Sequence, residues 1–86
     1  MISRFHLEAK AEFDAAVDFY ESRQPNLGTD FSKVVFDSIK MILEYPDSWT
    51  PVYGKYRRCL TRRFPYGIIY YKEGDTINII CNYATK

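Results

Sequence analysis

Five cations crowd the nine-residue stretch "KYRRCLTRR", residues 55–63, and they are the side chains best placed to do chemistry: Lys55, Arg57, Arg58, Arg62 and Arg63. An arginine guanidinium binds a phosphate or a carboxylate through two parallel hydrogen bonds. Such a density of cations favours an anionic partner, either nucleic acid or an acidic protein segment. One alternative is a solvated strand face. Another is that Arg57 or Arg63 pairs with helix carboxylates, Glu12 or Asp18 for example.

The spacing of the four arginines predicts how they divide between the faces of a strand. If residues 57–64 form one strand, Arg58 and Arg62 point to one face and Arg57 and Arg63 to the other. Residues four apart on a strand are separated by roughly 13 Å, enough to span about two phosphates. We therefore expect Arg58 and Arg62 to act together, with Arg57 and Arg63 on the helix side.

Other reactive side chains are sparse. His6 stands alone near the start of a helix and is interpreted as a capping or packing residue rather than a general base. Glu8 and Glu12, one helical turn apart, fit a solvated acidic face. Cys59 and Cys81 form no C-x-x-C pair and are predicted to be reduced, buried thiols. We expect no metal site and no cofactor.

Composition predicts a single globular domain over residues 1–86. The chain is 47% hydrophobic and 27% charged, and 17% of its residues are aromatic, so aromatic side chains must supply much of the packing. Residues 1–54 carry a net charge of −4 and residues 55–86 a net charge of +5. The N-terminal stretch lacks the apolar core of a signal peptide, and no window is long and apolar enough to span a bilayer. We expect a cytoplasmic protein without a membrane partner.

The periodicity of apolar residues predicts two helices followed by strands. Helical spacing runs through residues 8–22 and again through 29–45, where Thr29 or Asp30 is expected to cap the helix and Pro46 to end it. Three strands are predicted after the loop "PDSWTP", over residues 53–64, 67–72 and 76–83. This order indicates an α+β fold with both helices on one face of a small antiparallel sheet, and the N-terminal strand at an edge.

The last two strands differ in pattern. "GIIYY", from Gly67, shows no alternation, which is typical of a central strand covered on both faces. The final strand alternates, which predicts one buried side formed by Ile77, Ile79, Cys81 and Tyr83.

Three pieces in this order resemble the RelE/ParE superfamily of small toxins from bacterial type II toxin–antitoxin modules, often called plasmid-stabilisation proteins. They are "LG-x-x-F" at residues 27–31, the helix-ending Pro46, and "R-x-FPY-x-I-x-Y" at residues 62–70. The likeness extends over almost the whole chain. It implies that the sheet face opposite the helices carries the activity, and that a partly disordered antitoxin wraps the toxin to silence it.

The superfamily contains two mechanisms, and the resemblance implies a choice between them. RelE-like members cleave messenger RNA on the ribosome, whereas ParE-like members poison DNA gyrase. Nuclease members usually carry a cation in the strand after the basic one, where this chain has Gly67, and many continue into a longer reactive tail. Arg58, Arg62, Tyr83 and Lys86 are the candidate catalytic residues here.

We therefore predict a ParE-like toxin that arrests growth, with DNA gyrase as its target and a cognate antitoxin as its partner. The alternatives are a RelE-like mRNA interferase acting on the ribosome, or a non-toxic binding module with the same fold. Whether the chain is an enzyme stays open; if it is, the activity is that of an endoribonuclease.

Overall fold

The computed structural model describes residues 1–85, which form two helices and five strands. In chain order they are β1 (Ile2–Phe5), α1 (Leu7–Arg23), α2 (Leu27–Glu44), β2 (Thr50–Tyr53), β3 (Tyr56–Leu60), β4 (Tyr66–Glu73) and β5 (Thr76–Ala84). The strands lie side by side in the order β1-β5-β4-β3-β2. The α+β prediction is confirmed, and β4 occupies the centre of the sheet as its sequence indicated.

One apolar core lies between the two helices and one face of the sheet. Aromatic rings dominate its middle, where Phe31 of α2 meets Tyr66 edge-on with ring centroids 4.8 Å apart, and Phe64 at 5.3 Å. The buried apolar residues are Ala9, Phe13, Phe31, Val35, Ile39, Ile42, Cys59, Phe64, Tyr66, Ile68, Tyr70, Ile77 and Ile79. The opposite face of the sheet carries no helix and is called the open face below.

The two helices approach each other closely at Gly28. A Cβ at this position would lie 2.8 Å from the Val17 carbonyl oxygen, so only glycine permits this crossing. The carboxylate of Glu21 accepts hydrogen bonds from the backbone N–H groups of Asn26 and Gly28, each at 3.0 Å. The preceding helix thereby caps α2, which begins at Leu27.

The predicted cap for α2 was therefore wrong. Thr29 and Asp30 lie inside the helix, and the cap position is Asn26, which adopts the left-handed conformation with φ 71°. Asparagine tolerates this conformation better than most residues. Pro46 follows the end of α2 at Glu44, as expected.

The predicted basic strand, residues 53–64, is in fact the end of one strand and the whole of another. β2 begins at Thr50, within the predicted loop, and turns through Gly54, whose φ is +53°, into β3. Pro51 is compatible with β2 because that strand lies at an edge of the sheet, where a missing N–H breaks no ladder.

The N-terminal strand lies at the other edge, as predicted, but it is parallel to its neighbour. β1 pairs with β5 so that Ile2 lies opposite Thr76 and Phe5 opposite Ile79. The remaining strand pairs are antiparallel. The sheet is thus mixed.

A one-residue bulge divides β5. Ile69 pairs with Cys81 but Tyr70 pairs with Ile79, which leaves Ile80 without an opposite residue. Side chains after the bulge therefore face the other way from those predicted by alternation. Ile77 and Ile79 enter the core as expected, whereas Cys81 and Tyr83 point to the open face and Asn82 points inward.

Asn82 holds the second half of β5 against α1. Its side-chain amide donates to the Ala9 carbonyl at 2.7 Å, and its backbone N–H donates to Glu12 Oε1 at 2.9 Å. Glu12 is therefore a structural acceptor rather than part of a purely solvated acidic face. These two bonds fix the direction in which Tyr83 points.

Candidate functional site

The two arginines of β3 have different surroundings because they lie on opposite faces. Arg57 pairs with Tyr70, on the helix side, and its guanidinium Nη1 donates to the Trp49 carbonyl at 2.7 Å. Trp49 is partly buried and packs against the core. Arg57 thus holds the α2–β2 loop against the sheet, which is a structural role.

Arg58 points to the open face, opposite Ile69 of the central strand. Its Nε is buried and has no hydrogen-bond partner among the described residues. A buried donor without a partner usually costs about 1–3 kcal/mol, and such groups in folded proteins often mark functional sites. Of the predicted cations, Arg58 is the one with a buried donor atom that lacks a partner among the described residues.

Arg62 and Arg63 do not lie on the strand, so the predicted pairing of Arg58 with Arg62 on one strand face was wrong. β3 ends at Leu60, and the Thr61 hydroxyl lies 3.0 Å from the carbonyl oxygen of Phe64, within the turn that leads to β4. Arg63 adopts a left-handed backbone with φ 73°. Its guanidinium pairs with Asp30 of α2 at 3.3 Å, and both side chains are about half exposed.

The salt bridge of Arg63 identifies the helix carboxylate that the basic segment contacts. Arg63 pairs with a helix carboxylate, as the alternative predicted, but the partner is Asp30 at the start of α2 and not Glu12 or Asp18, the examples given. An ion pair this exposed contributes little to stability, because water and salt screen it.

Tyr71 lies at the centre of an aromatic and cationic group on the open face. The Tyr56 ring meets it edge-on with centroids 5.6 Å apart, and the Lys55 ammonium lies 4.2 Å from its ring centroid. The His6 ring approaches Tyr71 at 6.5 Å. Lys55 is exposed and makes a cation–π contact with the Tyr71 ring.

Gly67 and Tyr83 form the second feature of this face. They are opposite one another on β4 and β5, and the Tyr83 ring lies directly over Gly67. A Cβ on Gly67 would come within 2.8 Å of the ring. The position where nuclease members of the superfamily carry a cation is thus covered by an aromatic ring.

His6 and Cys81 are poorly suited to acid–base or nucleophilic work. His6 Nε2 lies 3.1 Å from Asn78 Oδ1, a contact between the start of α1 and β5, in line with its expected packing role. Cys81 is a free thiol whose pKa is raised by burial and further by Glu12 and Glu8. A raised pKa keeps the thiol protonated near neutral pH, whereas the thiolate is the nucleophilic form.

The buried titratable groups on the helix side serve packing. Burial raises the pKa of Cys59 to about 11 and the pKa of Tyr70 to about 12. The Tyr70 hydroxyl donates to the Pro46 carbonyl at 2.6 Å, which ties the end of α2 to the central strand. Both groups therefore stay neutral at physiological pH.

Within residues 1–85, no group of His, Cys, Asp and Glu side chains is arranged to hold a metal ion. The same residues include no helix that is long and apolar enough to cross a membrane. Lys86, a candidate catalytic residue, lies outside the described residues.

We define the open-face surface as Lys55, Tyr56, Arg58, Tyr71 and Tyr83. Lys55, Arg58 and Tyr83 were among the residues predicted from the sequence, and Tyr56 and Tyr71 were not. Tyr56 could have been predicted, because Tyr56 and Arg58 are two residues apart on one strand and their side chains therefore share a face. The arrangement offers two cations and three aromatic rings to a partner, which is suited to binding more than to proton transfer.

Comparison with known proteins gives a matching family and a solved structure of similar fold. A profile described as the ParE toxin of the type II toxin–antitoxin system parDE matches residues 4–81. A solved structure titled "Chromosomal ParDE TA system from P. aeruginosa" superposes with a TM-score of 0.84 at 16% sequence identity, covering 99% of this chain and 95% of that one. No curated protein matches the chain.

Proposed function

Because the chain belongs to the ParE toxin family of type II toxin–antitoxin systems, we propose that it arrests growth by inhibiting DNA gyrase and that a cognate antitoxin neutralises it. Gyrase acts on chromosomal and plasmid DNA, so the proposed site of action is the cytoplasm. The ParE branch is the gyrase-directed branch of the superfamily that the sequence resembles.

The choice of gyrase over messenger RNA is supported by the packing of Tyr83 on Gly67. RNA cleavage by 2′-hydroxyl attack needs side chains that move protons and stabilise the charged phosphate, a contribution of about 10²–10⁴-fold from acid–base catalysis. The ring on Gly67 leaves no room for a cation there without displacement of Tyr83. Inhibition of an enzyme by binding requires none of these groups.

The open-face surface is proposed as the part that contacts the target. Arg58 and Lys55 supply positive charge, and Tyr71 supplies a large aromatic surface beside Lys55. Aromatic and arginine side chains are the types that most often dominate protein–protein binding energy. Their position on the face opposite the helices agrees with the working face that the superfamily resemblance implies.

The antitoxin is proposed to be an acidic, partly disordered protein that orders on binding. Residues 55–86 carry a net charge of +5, which favours a negatively charged partner. A disordered segment of low hydrophobicity can cover a large surface when it binds, although ordering the segment costs conformational entropy.

A supercoiling assay tests the target directly. Purified toxin is added to bacterial DNA gyrase, ATP and relaxed plasmid, and we expect loss of supercoiling that the antitoxin reverses. Arg58→Ala serves as the site variant and Arg63→Ala as its control, since both remove one guanidinium but only Arg58 belongs to the open-face surface. Arg58→Ala should weaken inhibition at least tenfold, and Arg63→Ala less than twofold.

Primer extension on cellular transcripts after induction of the toxin tests the alternative, which is cleavage of messenger RNA. In-frame cuts within translated codons, with gyrase activity unaffected, would replace the proposal with RNA cleavage. Unimpeded growth on induction of a folded protein would instead indicate a non-toxic binding module.

A further inference from the structure

A polar pocket lies at one end of the sheet, where the loop after α2 meets the β2–β3 turn and the β4–β5 turn. Its volume is about 300 Å³. The charged residues that line it are Asp47 of the loop, Lys55 of the β2–β3 turn, Arg57 of β3 and Lys72 of β4. Three cations therefore share this concavity with a single carboxylate.

Two hydrogen bonds fix the framework of the pocket. The hydroxyl of the buried Tyr70 donates to the Pro46 carbonyl at 2.6 Å, which ties the loop to the central strand. Arg57, which lies opposite Tyr70 on the neighbouring strand, donates from Nη1 to the Trp49 carbonyl at 2.7 Å. The pocket is thus held in shape from both ends of the loop, and a ligand has little to order when it binds.

Two of the cations keep hydrogen-bond donors for a ligand. A guanidinium carries five N–H groups, and among the described residues that of Arg57 makes only the hydrogen bond from Nη1. Lys72 Nζ lies 3.8 Å from Asp47 Oδ2, which is an ion pair but too long for a hydrogen bond. The side chains of Lys72 and Asp47 are 40% and 73% exposed, so solvent screens their attraction and an anion can replace it.

Lys55 stands on the border between the pocket and the open-face surface. It lines the pocket, while its ammonium lies 4.2 Å from the centroid of the Tyr71 ring. A lysine has a flexible four-carbon stem, so its ammonium can turn from the ring toward a charge bound in the pocket.

We propose that this pocket binds a small dianionic phosphate, either inorganic phosphate or a phosphate monoester. The four charged residues give the pocket a net charge of +2, which matches a phosphate dianion better than a single carboxylate group. Arginine offers two parallel N–H groups to phosphate oxygens, and lysine adds a point charge. A DNA duplex fits less well, because its phosphodiesters lie on a convex surface and the exposed Asp47 repels the phosphates next to the one bound.

The test titrates purified toxin with inorganic phosphate and follows the backbone amide signals by NMR. The titration is run at about pH 7.5, above the second pKa of a phosphate group, about 6, and at constant ionic strength. We expect saturable shifts at Asp47, Arg57 and Gly74, which line the pocket, and none along α1.

Lys72→Gln is the site variant, and Lys10→Gln is its matched control. Each substitution removes one ammonium and one ion pair with an exposed aspartate, but Lys10 lies on α1, 3.1 Å from Asp14. We expect Lys72→Gln to raise the Kd for phosphate about fivefold or more, and Lys10→Gln to change it less than about twofold. Arg57 is left intact, because its bond to Trp49 holds the loop.

A second variant should act in the opposite direction. Asp47→Asn removes the carboxylate that competes with phosphate for Lys72, and we expect it to lower the Kd by about twofold or more. Asp14→Asn, the control on α1, should leave the Kd unchanged. Tighter binding cannot result from a damaged fold, and circular dichroism verifies that each variant is folded.

The proposal is overturned if phosphate gives no saturable shifts at the pocket, or if Lys72→Gln and Lys10→Gln weaken binding equally. Unchanged or weaker binding by folded Asp47→Asn overturns it as well. A duplex with 5′-hydroxyl ends is titrated in parallel, and binding of that duplex through Lys72 without binding of phosphate would assign the pocket to a nucleic-acid backbone instead. These measurements involve neither gyrase nor an antitoxin, so their outcome is independent of the proposed function.

Discussion

Replacing Gly67 with alanine should destabilise the fold through one contact, the Tyr83 ring. The added Cβ would lie 2.8, 2.9 and 3.0 Å from Tyr83 Cζ, Cε1 and Oη. Carbon atoms in favourable contact are about 3.5–4.0 Å apart, so the ring must move by roughly 0.5–1 Å. Overpacking of this kind costs about 1–3 kcal/mol. Gly67 has no positive φ, so the backbone itself accepts alanine.

The same substitution should change sign when the ring is removed. In a Tyr83→Ala background the collision is gone, and alanine in a strand interior is favoured over glycine by about 0.5–1 kcal/mol. Urea unfolding of the four proteins in this double-mutant cycle gives the coupling energy, which we expect to be about 1–3 kcal/mol. Equal effects of Gly67→Ala in both backgrounds would refute the reasoning, because the ring would then not be held over the glycine.

Three further predictions concern other parts of the molecule. Glu21→Ala removes the acceptor for two backbone N–H groups at the start of α2 and should lower the free energy of unfolding by about 1–2 kcal/mol, as urea unfolding would show against the exposed control Asp18→Ala. Burial raises the pKa of Cys59 from 9.0 to about 11 and that of Tyr70 from 10.0 to about 12. As the pH rises, the unfolded chain therefore loses these protons at a lower pH than the folded protein does. Stability should therefore fall as pH rises from 9 to 12, and Tyr70→Phe should reduce the loss above pH 10 in urea titrations at each pH. Arg58→Ala should leave thermal stability unchanged or slightly raised, because it removes a buried donor without a partner, and a decrease of more than a few degrees in Tm would contradict this.

The helices and the centre of the sheet were predictable because their signals are local. Phe31, Val35 and Ile39 recur at helical spacing and all three are buried. The apolar run of β4 identified the central strand for the same reason, although only its helix side is covered: Ile69 and Tyr71, on the open face, are half-buried. These features depend on residues close together in the chain.

The features that were missed depend on contacts between distant residues. The bulge in β5 is held by bonds from Asn82 to α1, some 70 residues earlier, which alternation within β5 cannot reveal. The early end of β3 depends on the turn in which Thr61 contacts the carbonyl of Phe64, so the strand pattern of the arginines extended too far. The bulge and the early end of β3 together decide which side chains lie on the open face. Because sequence spacing reveals neither feature, it placed Tyr83 in the core and Arg62 on the strand.

The parallel pairing of β1 with β5 sets the order in which the molecule can assemble. β1 is synthesised before β5, yet its partner residues begin at Thr76. At about 5–20 residues per second, roughly 70 further residues take several seconds to emerge, during which the N-terminal strand has no neighbour. The helical hairpin closed by Glu21 and Gly28 needs only nearby residues and can form within that interval. In newly made toxin the sheet is therefore unfinished during that interval, and neither the β1–β5 edge nor the complete open face yet exists for a partner to recognise.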